Sequence, residues 1–333
     1  MSIKVIHPGL LTTVQDQGRH GFQKYGVIVG GAMDSFAIRM ANLLVGNEEG
    51  EAALEVTLRG PELQFQDDLL ISICGGDLSP AINGVPVPGW RPVYVKKGGI
   101  LRFGACVSGC RAYLAVAGGL DVPKVMESRS TYLRAKLGGF RGRALQKGDH
   151  LPVQPPPQAA EKIKARLFPA DSQPFKAAGS FLSLEVLPAY RNHPVVRFIR
   201  GREFALFAKK SREAFTFSPY TVTPQSDRMG YRLKGPALSL TEPADLISEA
   251  VSAGTVQVPP DGNPIILMAD RQTTGGYPKI AQVASVDLPV VAQVKPGETI
   301  TFREISLDEA QMLYLEREAE IALMRKSISL YLK

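Results

Sequence analysis

Four short segments gather side chains able to hold a small polar ligand. TTVQDQGRHGF (12–22) carries Gln15, Asp16, Gln17, Arg19 and His20, and VGGAMDS (29–35) places Asp34 behind two glycines. TPQSDRMGYRL (223–233) carries Gln225, Ser226, Asp227, Arg228 and Tyr231. ADRQTTGGYPKI (269–280), directly after the apolar run PIILM, carries Asp270, Arg271, Gln272, Thr273, Thr274, Tyr277 and Lys279. Guanidinium forks bind carboxylates bidentately, and amides and hydroxyls read C=O and N–H edges. Glycines let backbone amides approach a ligand closely. Two readings stand side by side. These are loops whose Asp and Arg satisfy each other and the nearby backbone, or they converge on one cleft.

Several chemistries are excluded by pattern. GGYPK lacks the Gly-x4-Gly-Lys-Ser/Thr spacing of a phosphate loop, and there is no Gly-x-Ser-x-Gly elbow and no His-Glu-x-x-His. TTGG offers a hydroxyl nucleophile with no base beside it in sequence. Positioning and polarisation of a small polar substrate fit better than a self-contained hydrolytic triad. The four histidines are scattered singly, and Cys106 and Cys110, four apart with no histidine nearby, match zinc-ligand spacing poorly. We expect no metal, and read the three cysteines as buried apolar thiols.

The chain of 333 residues has room for two domains. No run approaches the ~18 apolar residues of a membrane span, and MSIKVIHPG lacks the regions of a signal peptide, so a cytoplasmic protein with no membrane partner is expected. The formal net charge of +7 is spread along the sequence, with a modest basic gathering at Arg134, Lys136, Arg141, Arg143 and Lys147. Without interleaved aromatics or a recognition helix, no nucleic-acid partner is expected.

The elements that must position the polar segments are short. LLISICGG, RPVYVKKGGILRFG, CRAYLAVAGG and TVQVPPDGNPIILMAD read as strands between turn residues, with Gly98-Gly99 making a hairpin turn. This pattern predicts barrels or sandwiches. Asp34 or Ser35 caps a helix with Met33, Ala37, Met40, Ala41 and Leu44 on one face and Gly46 as its stop. Ser306 to Glu309 forms a capping box opening a surface helix from about Leu307 to Arg325. Three ordered similarities suggest two related barrels: IKVIHPG (3–9) with LEVLPAY (184–190), LRGPELQF (58–65) with LKGPALSL (233–240), and VKKGGILRF (95–103) with VKPGETITF (294–302). The expected layout is a first barrel at 1–160, a Pro-rich linker at 161–180, a second barrel at 181–305 and a C-terminal helix at 306–333, the prolines at 155–157 disfavouring helix.

HPGLLTTVQDQGRHGF, GGAMDSFAIRMANLLVGN, RAYLAVAGGLDVP, SRSTY, LGGFRGRALQKGD, SPYTVTPQSDRMGYRL and VQVPPDGNPIILMADRQTTGGYPKIAQVASVDLP together resemble the allophanate hydrolase subunit 2 family, over almost the whole chain. That family includes the KipI antagonist KipA and the C component of bacterial ATP-dependent 5-oxoprolinase, and its module recurs in urea carboxylase. The resemblance implies a mainly β fold of two cyclophilin-like β-barrels with a few short helices. It implies a KipI-like subunit 1 partner, and a third subunit related to lactam-utilisation proteins. The implied activity is opening of 5-oxo-L-proline to L-glutamate, with ATP used by the assembled complex at a site that can lie on a partner. Alternatives are a carboxyltransferase component acting on urea or a related amide with a biotinylated partner, and a KipI antagonist regulating a sensor-kinase inhibitor. No Met-Lys-Met is present, so no biotin is expected on this chain.

Under this resemblance the substrate is a small amide or lactam. Arg228 and Arg271 would hold anionic groups, and Gln225, Gln272, Thr273 and Thr274 would orient the amide. Gln15, Arg19 and Ser226 are further candidates for substrate binding. Asp16, Asp34 and Asp227 are candidates for proton transfer or for organising the arginines. Tyr277 is a candidate donor to a developing oxyanion, or a packing side chain.

Overall fold

The computed structural model describes all residues other than 169–172, 180–181, 183–185, 245 and 332–333. Contacts divide the chain into one unit of Met1–Arg19, Gly30–Leu187 and Glu320–Lys333, and another of His20–Val29 and Pro188–Ala319.

In the first unit the strands are β1 (Ser2–His7), β2 (Leu11–Gln15), β3 (Ala53–Thr57), β4 (Glu62–Phe65), β5 (Leu69–Asp77) and β6 (Ala81–Ile82). They continue as β7 (Val85–Pro86), β8 (Pro92–Val95), β9 (Ile100–Arg102), β10 (Ser108–Val116), β11 (His150–Pro152) and β12 (Phe175–Ala177). Two six-stranded sheets result, ordered β11-β1-β4-β9-β6-β7 and β12-β8-β5-β10-β3-β2. Side chains alternate across a strand, and β5 and β10 are apolar on both faces. Leu69, Ile71 and Ile73 of β5 and Ala112, Leu114 and Val116 of β10 join a core shared with β1, β4 and β9 of the other sheet. Leu70, Cys74, Tyr113 and Ala115 point the other way, onto α1 (Ser35–Leu44) and α2 (Gln158–Arg166). Burial pushes the Cys74 thiol well above its ordinary range, as expected of a thiol that packs and does not react.

The second unit contains β13 (Val195–Arg200), α3 (Lys209–Phe217), β14 (Tyr220–Val222), β15 (Gly230–Lys234) and β16 (Glu249–Ala250). There follow β17 (Thr255–Gln257), β18 (Ile265–Leu267), β19 (Thr274–Gly275), β20 (Lys279–Val283), α4 (Leu288–Ala292) and β21 (Thr299–Glu304). Seven of these strands close a barrel in the order β13-β20-β17-β18-β15-β14-β21, parallel at β13/β21 and antiparallel at its other recorded pairings. Its aromatic core stacks Phe215 of α3 on Phe302 at 4.3 Å, with Phe198 edge-on to Phe215 at 5.0 Å. β16 and β19 stand apart as a two-stranded ribbon.

The chain is mainly β, as the turn-punctuated sequence predicts. Closure is recorded for the second unit, whereas the first unit's strands divide between two sheets, because turn residues locate strands but leave the pairing of sheet edges to the tertiary fold. The linker expectation for 161–180 needs correction. Residues 158–166 form α2, which buries Ala160 and Ile163 against α1, and residues 175–177 add β12 to a sheet. The prolines precede the helix, with Pro157 as its N-cap, where a missing N–H costs nothing. Among the three internal similarities, Gly98 and Gly297 share a positive φ (86° and 92°) at matching turns. In the first pair, 184–185 lie outside the described residues and 186–190 form no strand, unlike β1.

The predicted helices form with their caps. Asp34 accepts the Ala37 N–H at 2.9 Å at the start of α1, and Ser306 accepts the Glu309 N–H at 3.1 Å at the start of α5 (Leu307–Tyr331). α5 falls within the expected C-terminal helix at 306–333 and continues past Arg325, with Ile321, Met324 and Ile328 forming one buried stripe.

Candidate functional site

In the second unit, the segment 269–280 leaves strand β18 and runs into β19 and β20. Its first acid is already committed. Asp270, 5% exposed, accepts Nε and Nη2 of Arg228 at 2.9 Å each, and the Asp270 N–H donates to the Arg228 carbonyl at 2.8 Å. β15 and β18 are antiparallel neighbours, so this buried fork closes the end of their ladder. Arg228 therefore has a structural partner in Asp270, beside the anion-holding role expected of it from the sequence. Separation in sequence concealed the pair, since its members are 42 positions apart.

Arg271 is in the opposite situation. Its Nε and Nη1 reach only the carbonyls of Val251 and Met268, both at 3.4 Å, and no carboxylate pairs with it among the described residues. Burial pushes its guanidinium below the ordinary range, with no acid beside it to offset the desolvation. A partly buried cation without a counter-charge gains from an anionic ligand.

The ribbon supports the same loop. The Val251 N–H donates to the Thr273 carbonyl at 3.1 Å, and Ala250 pairs with Thr274. Across the ribbon, Glu249 receives Lys279 Nζ at 2.6 Å and Arg202 Nη1 at 2.7 Å. The Lys279 hydrogen bond, aided by Arg202, holds the Glu249 carboxyl below the usual carboxylate range. Lys279 is 8% exposed and also lies 3.6 Å from Glu203, whose carboxylate accepts the Lys279 N–H at 3.0 Å. Lys279 stands in the polar segment with no role expected of it, and neither Glu249 nor Glu203 is a candidate from sequence. Lysine after Tyr-Pro in a polar segment was the visible signal; the two glutamates arrive from other parts of the chain.

Gly276, Tyr277 and Pro278 line a cavity of about 600 Å³ with an apolar wall of Leu238, Leu240 and Val258. Tyr277 is 47% exposed at its edge. Gln257, buried beside Gly275, donates to the Tyr277 carbonyl at 3.5 Å and fixes the loop's approach to the cavity. Gln272 and Thr274 are exposed and Thr273 is half-buried. Arg271, Gln272, Thr273 and Thr274 supply a cation, an amide and hydroxyls along the loop, and the apolar recess lies further along it, at Gly276 to Pro278.

The remaining candidates are placed elsewhere. Gln225 is exposed; Asp227 accepts the N–H groups of Met229 and Gly230, and Ser226 Oγ accepts the Arg232 N–H, so both shape the turn before β15. In the first unit, Asp16 is a buried latch. It accepts the Ser128 hydroxyl at 2.7 Å, the Ser130 hydroxyl and the Arg129 N–H at 2.5 Å each, and the Gly18 N–H at 2.8 Å. Arg19 is 0% exposed and donates to the carbonyls of Val125 and Ser130. Gln15 donates to Thr13 Oγ1 and the Thr131 carbonyl. Asp34 is the N-cap of α1, and its own N–H donates to Tyr113, whose hydroxyl donates to Glu55. Asp16, Asp34 and Asp227 each accept backbone N–H groups, and Asp270 organises Arg228. Of the polar segments, 223–233 meets 269–280 through Arg228 and Asp270, and the ribbon brings 249–251 to the same loop.

Among the described residues no helix is long and apolar enough to cross a membrane, and no cluster of His, Cys, Asp or Glu is arranged to hold a metal ion.

The sequence matches the carboxyltransferase domain, subdomain A and B, family over residues 25–304. The chain belongs to this family. Among its relatives are proteins named as the C component of 5-oxoprolinase in Haemophilus influenzae, 39% identical over 95% of each chain, and in Escherichia coli strain K12, 40% identical over 92% of this chain and 93% of that one. The crystal structure of Kluyveromyces lactis urea amidolyase superposes on 97% of this chain with a TM-score of 0.86 and 32% identity. This chain corresponds to only 20% of that much longer polypeptide. As a member of the carboxyltransferase A and B family, the chain carries its matched region through both the first unit and the barrel.

Proposed function

We propose that the chain is a subunit of an ATP-dependent 5-oxoprolinase that opens 5-oxo-L-proline to L-glutamate together with partner subunits. The observation that carries this reading to a residue is Arg271, a desolvated guanidinium with no carboxylate partner among the described residues, at the mouth of the barrel loop. The substrate carboxylate supplies the missing charge, and Gln272, Thr273 and Thr274 offer hydrogen bonds to the lactam C=O and N–H. Tyr277 and the cavity beside it receive the ring's hydrocarbon edge. Glu249, held ionised between Lys279 and Arg202, keeps the ribbon rigid beneath that loop. The net reaction adds water across the lactam C–N bond: the carbonyl carbon gains the oxygen and the ring nitrogen leaves as the amine. ATP is hydrolysed by the assembled complex, and no step of that hydrolysis is assigned to these residues. The partners are a KipI-like protein and a third, lactam-utilisation-like protein.

Reconstitution tests the reading. The three proteins mixed should hydrolyse ATP only when 5-oxoproline is present, and replacing Arg271 by glutamine should raise KM for oxoproline. An intact assembly without oxoproline-dependent turnover refutes it. A second reading, carboxyl transfer to urea or a related amide, is supported by the family's description and by the likeness to urea amidolyase. It requires a biotinylated partner, so turnover insensitive to avidin counts against it.

A further inference from the structure

The first unit holds a polar cavity that none of the four polar segments forms. It measures about 570 Å³ at the ends of β1, β4 and β9, and its walls include His7, Leu10, Arg59, Glu62, Arg102 and Phe103. Strand register builds it. An irregularity in the β1/β4 pairing between Val5 and His7 sets His7 opposite Glu62, and the β4/β9 ladder sets Glu62 opposite Arg102. Such bulges re-aim a side chain at the rim of a sheet. Arg102 Nη2 donates to Glu62 Oε1 at 2.8 Å, and His7 Nε2 lies 4.0 Å from the other carboxylate oxygen. The side chains of Arg102 and His7 are 69% and 62% exposed and that of Glu62 only 12%, so the acid forms the floor and the guanidinium and imidazole the mouth. Arg59 is exposed and pairs with no carboxylate among the described residues. Two guanidiniums and an imidazole therefore face a single carboxylate, already engaged by one of them.

A turn of similar sequence occurs in the second unit. Gly60, whose Cβ would sit 2.5 Å from the Phe103 ring, corresponds in sequence to Gly235, whose Cβ would sit 2.6 Å from the Tyr220 ring. Pro61 corresponds to Pro236 and Phe103 to Phe302. The charged pair has no counterpart, because Ala237 stands at the position of Glu62 and Thr301 at that of Arg102.

We propose that this cavity binds a small oxyanion, a carboxylate or a phosphate, between Arg59 and Arg102, with His7 as a third donor. Guanidinium forks match the paired oxygens of either group. Leu10 and Phe103 face any attached carbon chain. Glu62 sets the strength of the site, because it competes with the ligand for Arg102.

Calorimetric titration of the full chain at low salt, with inorganic phosphate and separately with succinate, tests the assignment. One or both probes should saturate a single site, and the tighter of the two identifies the anion class. Arg59→Gln and Arg102→Gln should each weaken binding about tenfold. Glu62→Gln should tighten it severalfold, while Lys234→Gln in the corresponding turn of the second unit should change nothing. Failure of both probes to saturate the wild-type chain overturns the proposal. So does a double Arg59→Gln/Arg102→Gln variant that binds like wild type, or a Glu62→Gln variant that weakens binding as the arginine variants do. Arg59 makes no ion pair among the described residues, so its replacement reads binding without a folding defect.

Discussion

Replacing Arg228 by methionine and Arg271 by glutamine should separate two arginines that the sequence presents as equivalents. Arg228 forms a two-point bond to Asp270 with both side chains almost wholly buried. Removing the guanidinium leaves the Asp270 carboxylate buried without its cation, which typically costs about 3–5 kcal/mol. Replacing both partners together, as Arg228→Met/Asp270→Leu, removes the stranded charge and should recover much of that loss. Arg271 gives up only two long contacts to carbonyls. Its glutamine variant should keep the wild-type stability to within about 0.5 kcal/mol. The same variant should lose about 2–4 kcal/mol of ligand binding, roughly 30- to 1,000-fold, if the guanidinium makes charge-assisted bonds to a carboxylate. Urea unfolding followed by circular dichroism measures the stabilities. The single tryptophan, Trp90, lies in the first unit and would not report on the barrel. Oxoproline KM in the reconstituted complex measures the binding. The reasoning fails if Arg228→Met costs under about 1 kcal/mol, if the double variant costs the sum of the singles, or if Arg271→Gln unfolds the barrel while sparing KM.

Three further outcomes follow from the geometry. Asp34→Ala removes the N-cap of α1 and should cost about 1 kcal/mol, whereas Asp34→Ser should restore most of it; the measurement is the urea midpoint. Phe215→Ala opens the aromatic centre of the barrel and should cost about 3–5 kcal/mol, visible as earlier loss of the barrel's amide-exchange protection. Arg143 holds the Asp149 carboxyl below its ordinary 3.8 through a two-point bond. The folded state favours the ionised form, so this contribution is complete above about 3.8 and is lost as pH falls through the lower folded value. In Arg143→Gln the acid limb of the stability curve should be shallower over that window, and an unchanged limb would show that the pair does not couple to folding.

Local physics made part of this molecule readable in advance. Asp34 and Ser306 cap the helices they were expected to cap, because a cap depends on residues within a few positions of one another. The strands within 69–76 and 110–119 were legible as apolar runs between turn residues, and the Gly98 turn from its tolerance of positive φ. The prolines at 155–157 misled the reading of the following stretch, since they stop a helix only when inside it, and α2 begins just after them. The polar segments were legible as unusual but not by role. Asp16 is saturated by Ser128, Arg129 and Ser130, more than a hundred positions away, and Lys279 meets Glu203 and Glu249 from two other segments.

By itself the sequence determined a mainly β chain, its capped helices, its family and the loop at 269–280 as the place to look. Only the tertiary structure decided which charges remain for a ligand. Arg228 and Arg271 stand in equally polar segments. An arginine's role depends on whether an acid reaches it in space, and strand pairing brings Asp270 to Arg228 while no acid pairs with Arg271 among the described residues.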